Sequence, residues 1–259
     1  MTFTIKNGDA LELLKEIEDE SIGCIVTDPP YNISNGKTNI NRKSMDSQML
    51  KRNSDIKLDF GEWDKRTEDA YYEFTKQWFT ECARILKPKA WIYIFFSKER
   101  IGYFTDPRNG LFVTNGIYTK SIITWHKTNP TPSFRKMNYL SSTEFIAVGS
   151  KGNSRIPNFL EQKNMHNFFE TANSSIYGET EHPTEKPIEL LLWLLKTGGN
   201  SPVLDPFMGS GTTGTAALEL DMDFIGFDTD EQYFSLAKER IKRTASQSRL
   251  IQYEWHKNN

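Results

Sequence analysis

This 259-residue chain predicts an α/β fold built on a largely parallel sheet, and three observations carry the prediction. Strand, helix and strand signals follow one another before residue 30, the βαβ rhythm that implies a parallel pair. An apolar stretch at 202–207 runs into the glycine-rich turn Met208-Gly209-Ser210-Gly211-Thr212-Thr213-Gly214 and then into a helical pattern. A further short strand, 223–228, closes on an acid, Asp228.

In chain order, residues 3–5 form a β-like run that Asn7-Gly8-Asp9 turns into a helix. There Ala10, Leu13, Leu14 and Ile17 recur at helical spacing, and Asp9 is a natural N-cap. The apolar run Ser21–Val26 then meets Thr27-Asp28-Pro29-Pro30-Tyr31. Two successive prolines fix the backbone and remove two amide donors, so the strand must stop and present Asp28 and Tyr31 at its carboxyl end, where open α/β sheets place ligands. A basic loop over 32–60 follows, with Lys37, Arg42, Lys43, Lys51, Arg52 and Lys57 against Asp46 and Asp55. Such a run is either a solvated segment or a grip on phosphate, and its place beside the proline turn favours phosphate.

From Thr67 a helix opens with Glu68 and Asp69, carries Tyr71, Phe74, Trp78, Cys82 and Ile85 along one side, and stops before Pro88. Strands are predicted at 91–96, 116–126 and 143–148. The loops at 128–142 and 151–181 mix Asn, Ser and Pro with Phe134, Arg135, Lys136, Arg155 and Lys163, a blend that can read base edges or stack on bases. After His182-Pro183-Thr184-Glu185-Lys186-Pro187, a helix with Pro187 at its first position buries Ile188, Leu191, Leu192 and Leu195 and ends at Gly198-Gly199. Two further helices are predicted at 215–220 and 230–243.

Composition narrows the function class. With 37% hydrophobic and 13% aromatic residues the chain is globular and can bury a core, and a net charge of −2 excludes a uniformly basic nucleic-acid binder but not one with a local basic patch. Cys24 and Cys82 have no metal-ligand spacing and read as buried thiols of a reducing compartment, so no metal site is expected. The N-terminus lacks a signal pattern and the longest apolar run, Leu190–Leu195, is too short to span a bilayer; a cytoplasmic protein without membrane contact is expected.

Two motifs carry the chemistry. Gly209, Gly211 and Gly214 satisfy GxGxxG between a strand and a helix, and Asp228 follows Gly209 by 19 residues, so an NAD-dependent oxidoreductase is a legitimate reading. A phosphate-binding P-loop lacks its lysine. The segment Asp28, Pro29, Pro30, Tyr31 favours different chemistry. The amine of adenine is a poor nucleophile because its lone pair is delocalised into the ring. The Asp28 carboxylate and the Pro29 carbonyl can accept both amine protons and favour pyramidalisation as a methyl group arrives, with no covalent nucleophile. Tyr31 offers a ring on which a flipped-out base can stack.

DPPY at 28–31, LDPFMGSGTTGTAALEL at 204–220 and HPTEKP at 182–187 together resemble the amino-methylating DNA methyltransferases in their permuted, beta-class order, over Gly8 to Arg240. The resemblance implies a Rossmann-like methyltransferase fold, a mostly parallel seven-stranded sheet with helices on both faces, and a single catalytic domain over 1–259 with target recognition within 126–181. It implies S-adenosylmethionine as cofactor and double-stranded DNA as substrate. By the same resemblance Asp9 and Ala10 contact the cofactor adenine, Asp205, Phe207, Gly209, Ser210, Gly211 and Thr212 form the cofactor loop, Asp228 takes the ribose, Lys186 lies beside the methionine tail, and Asp28 serves both sets. Lys37, Arg42, Lys43, Lys51, Arg52, Arg135 and Lys136 are the candidate DNA contacts. The aspartate form of the motif resembles adenine-N6 members more than cytosine-N4 members, which stand as the alternative. Relatives of this class often dimerise, and both a homodimer and a restriction endonuclease partner are carried as expectations.

Overall fold

A computed structural model of the chain describes residues 1–32, 67–130, 139–172 and 185–258. The described chain divides into two compact units, Met1–Pro29 with Lys76–Asn259, and Pro30–Thr75. In the smaller unit Tyr71 donates its hydroxyl to the carbonyl of Pro30 at 2.6 Å, and Thr67 accepts from the amide of Ala70 as a helix cap should.

The larger unit is built on one sheet of eight strands: β1 (Phe3–Asn7), β2 (Ile22–Thr27), β3 (Leu86–Phe96), β4 (Ile117–Lys127), β5 (Thr143–Lys151), β6 (Phe168–Thr171), β7 (Val203–Asp205) and β8 (Phe224–Asp228). Their order is β1-β8-β7-β2-β3-β5-β4-β6. The five strands from β1 to β3 pair in parallel, β5 is antiparallel to both β3 and β4, and β6 runs parallel to β4. All six residues of β2 are buried, and because successive side chains point to opposite sides, both faces of the sheet are covered there.

The helices are α1 (Ala10–Leu13), α2 (Glu68–Ile85), α3 (Gly102–Thr105), α4 (Leu111–Thr114), α5 (Ile188–Gly198), α6 (Thr212–Glu219) and α7 (Glu231–Asn258). Asp9 caps α1, its Oδ1 accepting from the amide of Leu11 at 2.8 Å. Trp78, Phe79, Cys82 and Ile85 of α2 are fully buried, and Phe104 joins Trp78, Phe79, Phe96 and Phe112 in an aromatic cluster with centroids 4.8–5.9 Å apart. Burial pushes the Cys24 thiol up to about 12, which makes it inert as a nucleophile.

Several expectations need correction. Among the described residues the sheet has eight strands, not seven. The extra strand, β6, is four residues long at a sheet edge and inside a stretch read as loop, too short for a period-two pattern to register. β3 begins at Leu86 rather than Trp91, continuing through Pro88, with Lys89 at φ +67°. Pro187 is the N-cap of α5 rather than its first residue, α6 begins three residues before Thr215, and α7 runs well past Arg243.

Candidate active site

Because β1, β8, β7, β2 and β3 are parallel, their carboxyl ends lie along one edge of the sheet. Four acids mark that edge. Asp9 follows β1, Asp228 ends β8, Asp205 ends β7, and Asp28 follows β2.

The β7–α6 connection is held by its own side chains. Asp205 is 3% exposed; its Oδ1 accepts from Thr27 Oγ1 at 2.9 Å and from the amide of Phe207 at 3.1 Å, and its Oδ2 accepts from Thr213 Oγ1 at 2.7 Å. Burial pushes this carboxyl up to about 7 despite those three donors. Gly211 sits at φ +79°, where a Cβ would also lie 2.9 Å from that of Ala237; at Gly214 a Cβ would lie 2.6 Å from the ring of Phe224. These two glycines therefore serve the turn and the packing of α6 onto β8 and α7. The ring of Phe207 stands edge-on to Trp78 at 5.5 Å.

Asp228 ties the loop to the sheet edge, its Oδ2 accepting from the amide of Gly209 and its Oδ1 from that of Asp230, both at 2.8 Å. Its carbonyl accepts from the amide of Gly8 and from Asn7 Nδ2, both at 2.9 Å, which brings the turn before Asp9 alongside. Burial raises the Asp228 carboxyl to about 6, against the two amides that lower it.

Asp28 meets a lysine. Lys186 Nζ lies 2.5 Å from Asp28 Oδ2 and 3.3 Å from Glu144 Oε2, and 5.3 Å above the ring of Phe95. Glu144 Oε1 in turn lies 2.5 Å from Lys127 Nζ. Burial would lower the Lys186 pKa, but the two carboxylates outweigh it and hold the ammonium well above its usual range; burial would raise Glu144, but the two ammonium groups hold it low. The preceding residue faces the other way: Glu185 Oε1 lies 2.6 Å from Arg240 Nη1 and accepts from Thr212 Oγ1 at 3.3 Å. The Glu185-Lys186 pair thus joins the glycine loop to Asp28.

Of the residues singled out from sequence, Asp9, Ala10, Asp28, Pro29, Lys186, Asp205, Phe207, Gly209, Ser210, Gly211, Thr212 and Asp228 all belong to the larger unit, whereas Pro30 and Tyr31 belong to the smaller. Lys37, Arg42, Lys43, Lys51, Arg52, Arg135 and Lys136 lie outside the described residues. Glu144, Lys127, Glu185 and Arg240 were not singled out from sequence. The signal for the first was a lone acid in the apolar strand 143–148.

An acidic strand edge with a glycine turn and a downstream strand-end acid is the arrangement of Rossmann-like nucleoside-binding folds, and a further acid, Asp28, stands two strands along from Asp228. A family model described as DNA methylase matches residues 22–239, and the chain belongs to that family. It is 30% identical over 257 residues to the Type II methyltransferase M2.LlaDCHI of Lactococcus lactis subsp. cremoris, covering 93% of this chain and 89% of that one. The crystal structure of the M1.HpyAVI-SAM complex superposes with a TM-score of 0.68 at 26% identity, covering 93% of this chain and 99% of that one. The cytosine-N4-specific PvuII DNA methyltransferase shares the fold, with a TM-score of 0.65 at 17% identity over 96% of this chain and 93% of its own. Among the described residues no helix is long and apolar enough to cross a membrane.

Proposed function

We propose that the chain transfers a methyl group from S-adenosylmethionine to the exocyclic N6 amine of adenine in double-stranded DNA, as the modification enzyme of a restriction–modification system or a solitary one. The observation that carries this reading is Asp28 at the carboxyl end of β2, on the same sheet edge as the glycine turn and Asp228. The donor set suits a cationic, hydroxyl-bearing cofactor better than a dinucleotide. Along this edge Lys127, Lys186 and Arg240 are already paired with carboxylates, and a pyrophosphate would meet Asp9 and Asp228.

S-adenosylmethionine supplies a methyl group made electrophilic by its sulfonium. Asp228 would accept from the ribose hydroxyls, Asp9 would hold the adenine, and the turn from Phe207 to Thr212 would hold the methionine portion. Asp28 and the Pro29 carbonyl accept the two amine protons of the target base, which localises the nitrogen lone pair. Methyl transfer would break the cofactor's C–S bond and leave the electron pair on sulfur, and the methylated amine would lose one proton to the Asp28 carboxylate, which already accepts from it, and thence to solvent. Tyr31 supplies the stacking surface for a base turned out of the duplex. The aspartate of the DPPY segment favours adenine-N6 over cytosine-N4.

Incubation with DNA and cofactor labelled in the methyl group tests the reading. Label is expected in DNA with the wild-type chain and not with Asp28→Ala, which should still bind the cofactor in a calorimetric titration. Wild-type turnover by Asp28→Ala would sink the assigned role. NADH binding without label transfer would restore the oxidoreductase.

A further inference from the structure

Asp28 belongs to a line of partly buried charge. Phe95 pairs with Ile146, and Trp125 with Glu144, so Phe95, Ile146, Glu144 and Trp125 share one face of the sheet, and Lys127, two residues beyond Trp125, joins them. On that face the charges alternate, Lys127 to Glu144 at 2.5 Å, Glu144 to Lys186 at 3.3 Å and Lys186 to Asp28 at 2.5 Å. The side chains of Lys127, Glu144 and Lys186 are 15%, 21% and 9% exposed, so these ions are poorly screened and hold their places through one another.

We propose that Glu144, backed by Lys127, is a positioning residue for the methyl transfer: it shares the Lys186 ammonium with Asp28, so that Asp28 is fixed and ionised yet still able to accept the target amine. The inference rests on the methyltransferase reading above. A lysine paired with Asp28 alone would draw the carboxylate's charge onto itself and weaken its hydrogen bond to the amine. A lysine drawn to Glu144 alone would take its charge away from Asp28 and make ionisation of that partly buried carboxyl more costly. Dividing one ammonium between two carboxylates meets both needs, and Lys127 balances the second carboxylate. The arrangement draws on three separate parts of the chain, the loop after β2, the β4–β5 pair and the segment before α5, all of which must be folded together for Asp28 to be set.

Three other described charged groups near this line have partners of their own. Asp205, on β7, senses the Asp28 charge but is tied to Thr27 and Thr213; Glu185 faces Arg240; and His126, beside Lys127 on β4, pairs with Glu170 of β6 at 2.7 Å. The line from Lys127 to Asp28 therefore predicts an alternating response in the acidic limb of the pH profile of kcat for DNA methylation, which reports ionisation within the bound complex. Lys186→Met removes a positive charge next to Asp28 and should move the limb up by about one pH unit. Glu144→Gln removes a negative charge and should move it down, while lowering the plateau of kcat about tenfold or more and changing cofactor Kd less than about twofold. Lys127→Met should move the limb up by less than Lys186→Met, and the double variant Lys127→Met/Glu144→Gln should bring it back toward the wild-type position. A limb that stays in place, or that moves in one direction for all variants, overturns the proposal. Should Glu144→Gln fail to fold, Lys127→Met alone decides it, since a stationary limb there is equally fatal. A wild-type chain that transfers no methyl group to DNA overturns the methyltransferase reading instead.

Discussion

Asp228 shows how burial turns a common acid into a pH-sensitive contact. With its carboxyl raised to about 6, it is largely protonated in the free protein at pH 5 and ionised at pH 8. In the proposed role a ribose hydroxyl donates to this carboxylate, so cofactor affinity is expected to fall as pH drops through about 6, and Asp228→Asn should flatten that dependence in titrations between pH 5 and 8. At pH 8, Asp228→Ala should weaken binding by about 1–3 kcal/mol, as for a hydrogen-bonded charged group losing its partner. An unchanged affinity would move the ribose contact elsewhere. Asp9 reads from the sequence only as a helix cap, whereas Asp28 and Asp228 are legible there because each stands at the end of an apolar run, before two prolines and after Phe224–Phe227. Glu144 and Arg240 were not, because their partners lie far away in the chain and only the β3–β5 register and the packing of α7 bring them to the site. The family resemblance implies that Asp205 belongs to the cofactor loop; in the structure its oxygens go to Thr27, Thr213 and the amide of Phe207, so that it shapes the turn.

At the scale of elements, the glycine turn is bound by its neighbours as much as by any ligand. A methyl group at Gly214 would meet the ring of Phe224 at 2.6 Å and Ile241 at 2.7 Å. Gly214→Ala should therefore destabilise the fold by about 1–3 kcal/mol through overpacking, measured by urea unfolding without cofactor. A loss of cofactor binding at unchanged stability would instead assign that glycine to the ligand. The βαβ opening and the β7–turn–α6 unit were readable from sequence because local signals set them. The edge strand β6 was not, since a four-residue strand is specified by its pairing with β4, in which Thr124 faces Phe168 and Lys127 faces Thr171.

For the molecule as a whole, the buried acids set how stability responds to pH. Asp205 titrates near 7 folded and near 3.8 unfolded, so its contribution is fully present below about pH 4 and is lost as pH rises through 7. The free protein should lose stability over that window, and Asp205→Asn should make the loss shallower in denaturant midpoints at pH 5 and 7.5. An equally steep decline in Asp205→Asn would assign it to other groups. Target binding belongs to this scale too: neutralising Lys51 and Arg52 should shallow the salt dependence of DNA binding, and an unaltered slope would leave the basic loop without a phosphate contact. Mass spectrometry of nucleosides from DNA treated with the wild-type chain and S-adenosylmethionine tests adenine-N6 transfer through Asp28. N6-methyladenine is expected with the wild type and absent with Asp28→Ala; N4-methylcytosine, or N6-methyladenine from both proteins alike, would rule that transfer out.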